Sequence, residues 1–221
     1  MFKYRLQFSK TGETKFVSHL DLVRLFSRAF KRAQLPLAYS EGFNPHPKMS
    51  IGIPLSVGVT SECELLDAEL FREVDSEEIR TRLNKKMPTG VSILKVRPLA
   101  QGEKKLSAVY GAQYRITLLD TEISAEELEK FLSLDAVEIE KKTKRSQKMT
   151  DIASDIFSIE RMDARTLRMN LATGSSANLK PEVVLAAMQL YLPDFRTEDF
   201  DVHRERIYDE SGADLIETAK M

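Results

Sequence analysis

Apolar and polar residues alternate along the N-terminal part of the chain with two different periods, which predict strands and helices. Residues 2–8 (FKYRLQF) alternate with period two, as a half-buried strand does. Ser18 followed by Asp21 is typical of a helix N-cap, and the helix is predicted to run about four turns, to Ala33. The same patterns predict strands at residues 49–55, 63–70 and 91–96 and a helix at residues 76–86.

The pattern restarts after residues 99–107, a polar and turn-rich segment that is predicted to be a linker. A proline at the first position of a helix is tolerated because its missing N–H would have no partner there, so Pro181 is predicted to begin a helix. The second series has strands at residues 109–119, 136–141, 154–171 (a hairpin turning near Asp163) and 199–208, and helices at 124–133 and 181–192.

Each series has the order βαββαβ with some elaboration, which is the ferredoxin-like order. The second series repeats the first at an offset of about 110 residues, and Tyr4-Arg5-Leu6 has a counterpart in Tyr114-Arg115-Ile116. The sequence therefore predicts an α+β fold of tandem ferredoxin-like (βαββαβ) halves with antiparallel sheets. The predicted domains are residues 1–98 and 108–210, with the linker 99–107 between them and a tail at 211–221.

The composition is that of a folded protein in a reducing compartment. The 221 residues are 42% hydrophobic and 30% charged, which excludes the disordered class. The single cysteine, Cys63, cannot form an internal disulfide. The first residues lack the apolar run of a signal peptide, and no segment is long and apolar enough to span a membrane. We expect a cytoplasmic protein without a membrane partner.

Charge is arranged in blocks although the formal net charge is only −1. Residues 1–61 carry nine Lys or Arg against three acids, whereas residues 62–80 carry eight acids against Arg72 and Arg80. Like charges repel in a folded chain, so such blocks usually lie on different faces. The N-terminal block is therefore predicted to present a basic surface to an anionic partner.

The first predicted helix concentrates this positive charge on one side. At 100° per residue, its four cations fall within an arc of about 100°, opposite the apolar residues that would face a sheet. Such an arc is either a solvated outer face or a ridge that binds phosphate groups, because Lys and Arg supply most contacts to nucleic-acid backbones. The candidate RNA-binding residues of the helix are Arg24, Arg28, Lys31 and Arg32.

The loop at residues 41–48 (EGFNPHPK) is the second candidate element for RNA binding. Pro45 and Pro47 restrict its backbone, so its side chains are presented in a limited set of positions. An exposed aromatic ring can stack on a base, Asn can contact base edges, and His and Lys can reach phosphate; in a structural loop the aromatic would instead fill the core. The candidate residues are Phe43, Asn44, His46 and Lys48.

Four segments of the chain resemble the radical SAM-linked domain family, whose function is not assigned. They are FVSHLDL (16–22), RAFKRA (28–33), LPLAYSEGFNPHPK (35–48) and PLSVGVTSE (54–62). The resemblance implies a domain that is attached to, or encoded beside, radical SAM enzymes. It brings no established activity and no catalytic residues.

The sequence offers no residues for the radical chemistry itself. A radical SAM enzyme holds its iron–sulfur cluster with three closely spaced cysteines, and this chain has only Cys63, so the cluster would belong to a partner enzyme. No glycine-rich phosphate loop or dinucleotide fingerprint is present. Two histidines, His19 and His46, without a suitably spaced acid are weak grounds for a metal site. We expect neither a cofactor nor a metal.

Three functional hypotheses remain. The first is a non-catalytic RNA-binding accessory that positions RNA, for example tRNA, for a radical SAM enzyme. The second is a metal-independent endoribonuclease resembling the CRISPR repeat-processing enzymes, with His19 or His46 as general base and Lys48 beside the developing charge. The third is a protein-interaction module that docks on a radical SAM partner through the acidic stretch 62–78 and the acidic C-terminus.

Overall fold

The computed structural model describes residues 1–142, 147–174 and 177–217. The chain forms two compact units. The first unit comprises Met1–Val109 and the chain from Arg206 onward, and the second comprises Tyr110–Glu205. The predicted segment 99–107 lies within the first unit, immediately before the boundary. Of the predicted tail, residues 218–221 lie outside the described part of the chain.

The first unit is an antiparallel sheet with two helices. Three strands are paired in the order β4-β1-β3, and the short β2 pairs with the β3 segment Leu66–Ala68 on the side away from β1. The elements in chain order are β1 (Phe2–Lys10), α1 (His19–Arg32), β2 (Met49–Ile51), β3 (Thr60–Leu70), α2 (Ser76–Asn84) and β4 (Val91–Pro98).

Helix α1 begins and packs as its sequence pattern predicts. The Ser18 hydroxyl accepts a hydrogen bond from the Asp21 N–H, which satisfies one of the unpaired donors in the first helical turn. Leu22, Phe26 and Phe30 are buried, and the Phe26 ring meets the edge of the Phe8 ring of β1 with a centroid separation of 4.8 Å. The cationic side of α1 consequently faces solvent.

The predicted strand at residues 49–55 is shorter in the structure and ends at Ile51. Gly52 N still donates a 2.8 Å hydrogen bond to Leu65 O, but Pro54 has no N–H with which to continue the pairing. The chain then turns, and Gly58 N donates to Lys15 O.

The buried Arg5 explains why residues beyond β4 remain part of the first unit. Its guanidinium is only 1% exposed; it pairs with both carboxylate oxygens of Asp67 at 2.7 and 2.8 Å and donates to the carbonyl oxygens of Lys104 and Leu215. A buried guanidinium needs several acceptors to offset its lost hydration. The segment 99–107 and residues near Leu215 are thereby fastened to β1.

The second unit also combines an antiparallel sheet with two helices. Its sheet has the order β10-β5-β9-β8, and β6 and β7 form a separate hairpin. The elements are β5 (Val109–Leu118), α3 (Ala125–Leu132), β6 (Glu138–Lys142), β7 (Gln147–Asp151), β8 (Ile156–Arg161), β9 (Thr166–Ala172), α4 (Pro181–Tyr191) and β10 (Phe200–Asp209). The first residue of β5 and the last four residues of β10 belong to the first unit. The predicted α+β class is confirmed. No helix in the described ranges is long and apolar enough to cross a membrane.

Candidate nucleic-acid interface

The four candidate cations of α1 are all exposed, as the helical pattern predicts. Arg24 forms an ion pair with Asp21 at 3.0 Å, one helical turn away, whereas Arg28 and Lys31 have no ion-pair partner among the described residues. The Ser18 hydroxyl and then Arg24 hold the pKa of the Asp21 carboxyl below its ordinary value. Asp21 therefore keeps its negative charge at neutral pH and partly offsets the positive charge at the N-terminal end of this face.

Two further cations join this surface at the C-terminal end of α1. The Arg32 guanidinium donates a 2.8 Å hydrogen bond to Lys86 O, which brings the exposed Lys85 and Lys86 beside the last turn of the helix. Neither lysine was predicted to belong to this surface, because both follow α2 in the chain and Lys86 is 54 residues away from Arg32. We call the six cations the basic ridge: Arg24, Arg28, Lys31, Arg32, Lys85 and Lys86.

Arg82 fixes the C-terminus of α1 against α2. Its Nε donates to Ala33 O at 2.9 Å and its Nη2 to Gln34 O at 2.9 Å, while Nη1 pairs with Glu78 at 2.7 Å. The last carbonyl groups of a helix lack intrahelical partners and carry partial negative charge. A guanidinium there supplies the missing hydrogen bonds and a favourable charge interaction. The C-terminal part of the basic ridge therefore rests on a fixed helix end.

The candidate loop is closed at its base by backbone hydrogen bonds. Ser40 N donates to His46 O at 2.8 Å, and the Ser40 hydroxyl accepts from His46 N at 2.9 Å. One step further out, Lys48 N donates to Ala38 O at 2.7 Å. Both sides of this base also bond to Glu69 of β3, through Ala38 N and through Lys48 O. The loop is thus a short hairpin-like projection anchored on the end of a strand.

The Phe43 ring lies at the tip of this projection and is fully exposed, at 112% of the reference area. The alternative that Phe43 fills the core is therefore wrong. Burying such a side chain would stabilise a protein by roughly 1.5–3 kcal/mol, so an exposed ring gives up that contribution to folding. Gly42 before it has φ of 118°, a conformation that residues with a Cβ rarely adopt. Asn44 and His46 are exposed beside it.

Lys48 does not point to the tip but into a groove beside β2 and β3. Its Nζ lies 3.9 Å from Glu69 Oε2, and Lys3 Nζ lies 3.2 Å from the other oxygen of the same carboxylate. The groove has a volume of about 430 Å³ and includes Lys105 from the predicted linker. Lys3 and Lys105 were not singled out in the sequence, because only the fold brings three distant lysines to one groove.

The groove is close to electrically balanced. Lys3 and Lys48 share Glu69, Arg5 pairs with Asp67, and Lys105 has no ion-pair partner among the described residues. Positive charge that is matched by carboxylates attracts phosphate weakly. The basic ridge is consequently the stronger candidate for contacts with an anionic backbone.

The two candidate histidines are not brought together. His19 begins α1, which follows the Lys10 end of β1 in the chain. The base of the loop that carries His46 is bonded to Glu69, which pairs with Lys3 at the opposite end of β1. In the described ranges no group of three or more His, Cys, Asp or Glu side chains could hold a metal ion.

The chain shows a distant likeness to solved structures, three of which are the following. Structures described as a Cbf5-Nop10-Gar1 complex, an archaeal box H/ACA sRNP Nop10-Cbf5 complex and an H/ACA RNP bound to a substrate RNA align with TM-scores of 0.49, 0.43 and 0.45. Sequence identity is 10%, 11% and 11%. The alignments cover 94%, 91% and 92% of this chain and 50%, 46% and 47% of the matched chains, so the chain spans about half the length of each.

The comparison with curated protein sequences gives no match. A family model does match, over residues 3–181, and its description is "uncharacterized protein conserved in bacteria". The matched range includes α1, the loop at residues 41–48 and most of the second unit. The chain therefore belongs to this bacterial family, DUF2344.

Proposed function

We propose that the protein is a non-catalytic RNA-binding accessory that presents RNA to a radical SAM enzyme. The observation that carries the proposal is the basic ridge, in which the four exposed cations of α1 are continued at Arg32 by the exposed Lys85 and Lys86; among the described residues, Asp21 is the acid paired with a ridge cation. Phosphate groups are bound by such clusters through Coulomb attraction and charge-assisted hydrogen bonds. We expect the interaction to take place in the cytoplasm.

The loop supplies the second part of the proposed interface. A base would stack on the Phe43 ring, Asn44 would contact a base edge, and His46 would reach a phosphate group. The Lys48 Nζ lies 3.9 Å from Glu69 Oε2, so Lys48 would bind a phosphate group only after moving away from this carboxylate. Because the loop base is closed by Ser40 and His46, little conformational entropy would be lost when RNA binds.

The partner follows from the resemblance of residues 16–62 to the radical SAM-linked domains. Cys63, the one cysteine, is buried beside the Ser61 hydroxyl, so an iron–sulfur cluster has no ligand set in this chain. We therefore assign RNA binding to this chain and radical chemistry to the partner.

The architecture that we propose is a tandem of ferredoxin-like modules. Strand orders β4-β1-β3-β2 and β10-β5-β9-β8, each with two helices in the chain order βαββαβ, support this description. The β6–β7 hairpin is then an insertion between α3 and β8. Such modules use many different surfaces for binding, so the fold alone does not place the RNA.

Fluorescence anisotropy with a labelled tRNA and a labelled single-stranded RNA tests the proposal. The double substitution Arg28→Glu with Lys31→Glu should weaken binding of both by more than tenfold at low salt, because each reversal converts an attraction into a repulsion. Lys130→Glu is the matched control, since Lys130 is exposed on α3 and outside the ridge. Equal effects of the two changes, or absence of binding by the unmodified protein, would refute the proposal.

A further inference from the structure

Three large apolar side chains are exposed around the start of α1, at the N-terminal end of the basic ridge. Phe16, Leu20 and Val57 are 58%, 67% and 59% exposed. Gly58 N donates a 2.9 Å hydrogen bond to Lys15 O, which brings the loop of Val57 to the turn that carries Phe16. A single exposed apolar side chain is ordinary on a protein surface, but several at one place mark a binding surface. We call these three residues the apolar patch.

The backbone that carries Phe16 is fixed by hydrogen bonds. The carbonyl oxygen of the preceding Lys15 accepts, at 3.1 Å, from the ammonium group of Lys10, a side chain that is only 1% exposed. At the start of the same 3₁₀ turn, Thr11 N donates to Gly90 O at 2.8 Å. An exposed ring on a fixed backbone loses little conformational entropy when a ligand binds to it.

The apolar patch continues the line of the ridge cations. At about 100° per residue, Leu20 lies about 40° from Arg24 and about 20° from Lys31 around the axis of α1. Leu20 is also one helical turn before Arg24, the first cation of the ridge. Lys15 Nζ lies 5.4 Å from the centroid of the Phe16 ring. A ligand that covers the patch therefore also meets positive charge.

A nucleotide combines the two properties that this surface requires. Its phosphate group is negatively charged, and its base has a π-face that stacks on aromatic side chains. In a duplex the bases are stacked on each other, so a protein meets the phosphates, the sugars and the base edges. An exposed phenylalanine ring can therefore stack on a base only where the strand is unpaired.

We infer that the basic ridge and the apolar patch bind an unpaired RNA strand, with one base stacked on the Phe16 ring and neighbouring phosphate groups on Arg24 and Arg28. This inference rests on the proposed function and adds the substrate class to it. The substrate is single-stranded RNA, or the unpaired loop of a folded RNA, and not an RNA duplex.

The Phe16 site is separate from the loop at residues 41–48. The base of that loop is bonded to Glu69, which pairs with Lys3 near the start of β1. Phe16 instead follows the Lys10 end of the same strand. The exposed rings of the two sites therefore contact different bases.

Tryptophan fluorescence tests the stacking directly, because the chain contains no tryptophan. The Phe16→Trp variant carries a single indole ring, whose emission is quenched when a base stacks on it. Two RNA probes are titrated, an oligouridine of about twelve nucleotides, which stays unpaired, and a blunt duplex of about twelve base pairs. The oligouridine should quench the emission, whereas the duplex should bind the ridge without quenching. Phe71→Trp is the matched control, since Phe71 is 59% exposed and follows Leu70, which pairs with Phe2 at the opposite end of β1; its emission should not change.

Fluorescence anisotropy with the same two probes measures the contribution of the ring to affinity. Phe16→Ala should weaken oligouridine binding by at least about fivefold and leave the duplex affinity unchanged, and Phe16→Tyr should keep both. Phe16→Leu retains an apolar side chain without a ring and should lose about as much as Phe16→Ala. The urea midpoints of these variants should match that of the unmodified protein because the side chain is exposed.

Four results would overturn the inference: no quenching by the oligouridine, equal quenching of Phe71→Trp, quenching by the duplex, or an oligouridine affinity that Phe16→Ala or Phe16→Leu leaves unchanged. The proposed function would survive each of them if Arg28→Glu with Lys31→Glu still weakened RNA binding, and the apolar patch would then be left for a protein partner. If neither probe bound the unmodified protein, the proposed function and this inference would both be wrong.

Discussion

Arg32 and Lys86 are joined by a hydrogen bond from the Arg32 guanidinium to the Lys86 carbonyl oxygen, 2.8 Å long. This contact links the last turn of α1 to the turn between α2 and β4, which are distant in the sequence. Its consequence is electrostatic, because the contact brings the backbone of Lys86, and with it the neighbouring Lys85, to the exposed Arg32. The basic ridge is thus a property of the fold and not of one helix.

The first prediction concerns the two lysines that the fold adds to the ridge. The double substitution Lys85→Glu with Lys86→Glu should weaken RNA binding about as strongly as Arg28→Glu with Lys31→Glu, since both pairs belong to one surface. The free energy of unfolding should change by less than about 0.5 kcal/mol, as it usually does for exposed positions. Anisotropy and urea denaturation measure the two quantities. An unchanged RNA affinity would mean that the RNA contacts only the α1 cations of the ridge, or none of the ridge.

Phe43 is predicted to contribute to binding but not to folding. Phe43→Ala should leave the urea midpoint unchanged because the ring makes no core contact, and should weaken binding of single-stranded RNA by about 1–3 kcal/mol, the usual value of one base–aromatic stack. Phe43→Tyr should keep most of the affinity. Phe71→Ala is the matched control, since Phe71 is also exposed, at 59%, and lies outside the loop. Similar losses from Phe43→Ala and Phe71→Ala would argue against stacking at the loop tip.

The protein is predicted to leave bound RNA intact. The endoribonuclease hypothesis needs a general base and a cation near one 2′-hydroxyl group, but His19 begins α1 while the base of the His46 loop is bonded to Glu69, and Lys48 lies beside Glu69. Incubation with labelled RNA in EDTA, followed by gel electrophoresis, should show full-length strands. Fragments that end in 2′,3′-cyclic phosphate and disappear with His46→Ala would instead establish the endoribonuclease.

Asp209 is predicted to give the first unit a stability that is lost in acid. Burial raises the pKa of Asp209, but hydrogen bonds from Lys104, Ser211 and the Ala213 N–H outweigh it and lower this pKa from 3.8 to about 2. A lowered folded-state pKa stabilises the protein above pH 3.8, and this stabilisation is lost as the pH falls towards 2.

The measurement is urea denaturation of Asp209→Asn between pH 7 and pH 2. At pH 7 the variant should be less stable by about 2 kcal/mol, from a pKa shift of somewhat under two units. The difference should shrink as the pH falls and nearly vanish at pH 2. Asp135→Asn, a change at an exposed aspartate, should have no comparable effect. A pH-independent difference would mean that Asp209 acts through packing and not through its charge.

Much of the fold was predictable because periodicity and capping are local. The Ser18 cap, the α1 residues from His19 to Arg32 and the proline that begins α4 are where the pattern predicts them. The β6–β7 pairing was not predicted, since Gln147–Asp151 lacks the apolar alternation of a half-buried strand. The predicted strand at residues 49–55 was too long because Pro54, which has no N–H to continue the pairing, lies within it.

The candidate site was predictable only where one element carries it. The position of the four cations on one exposed face of α1 follows from the helical rotation of 100° per residue. Sequence alone could not decide between an exposed and a buried Phe43, because both are compatible with the same loop composition. Lys86 and Lys105 become relevant only through contacts across the fold, and the pairing of Lys48 with Glu69 could not be foreseen for the same reason.

The salt dependence of RNA affinity tests the central claim most directly. A labelled tRNA is titrated with the unmodified protein and with the triple variant Arg28→Gln, Lys31→Gln, Lys86→Gln between 50 and about 200 mM salt. Each phosphate contact makes the fall of log K with log salt steeper by about 0.7–0.9. The slope measured for the variant should therefore be shallower than that of the unmodified protein by roughly 2–3. A slope that is the same for both proteins, or an RNA affinity independent of salt, would contradict the account.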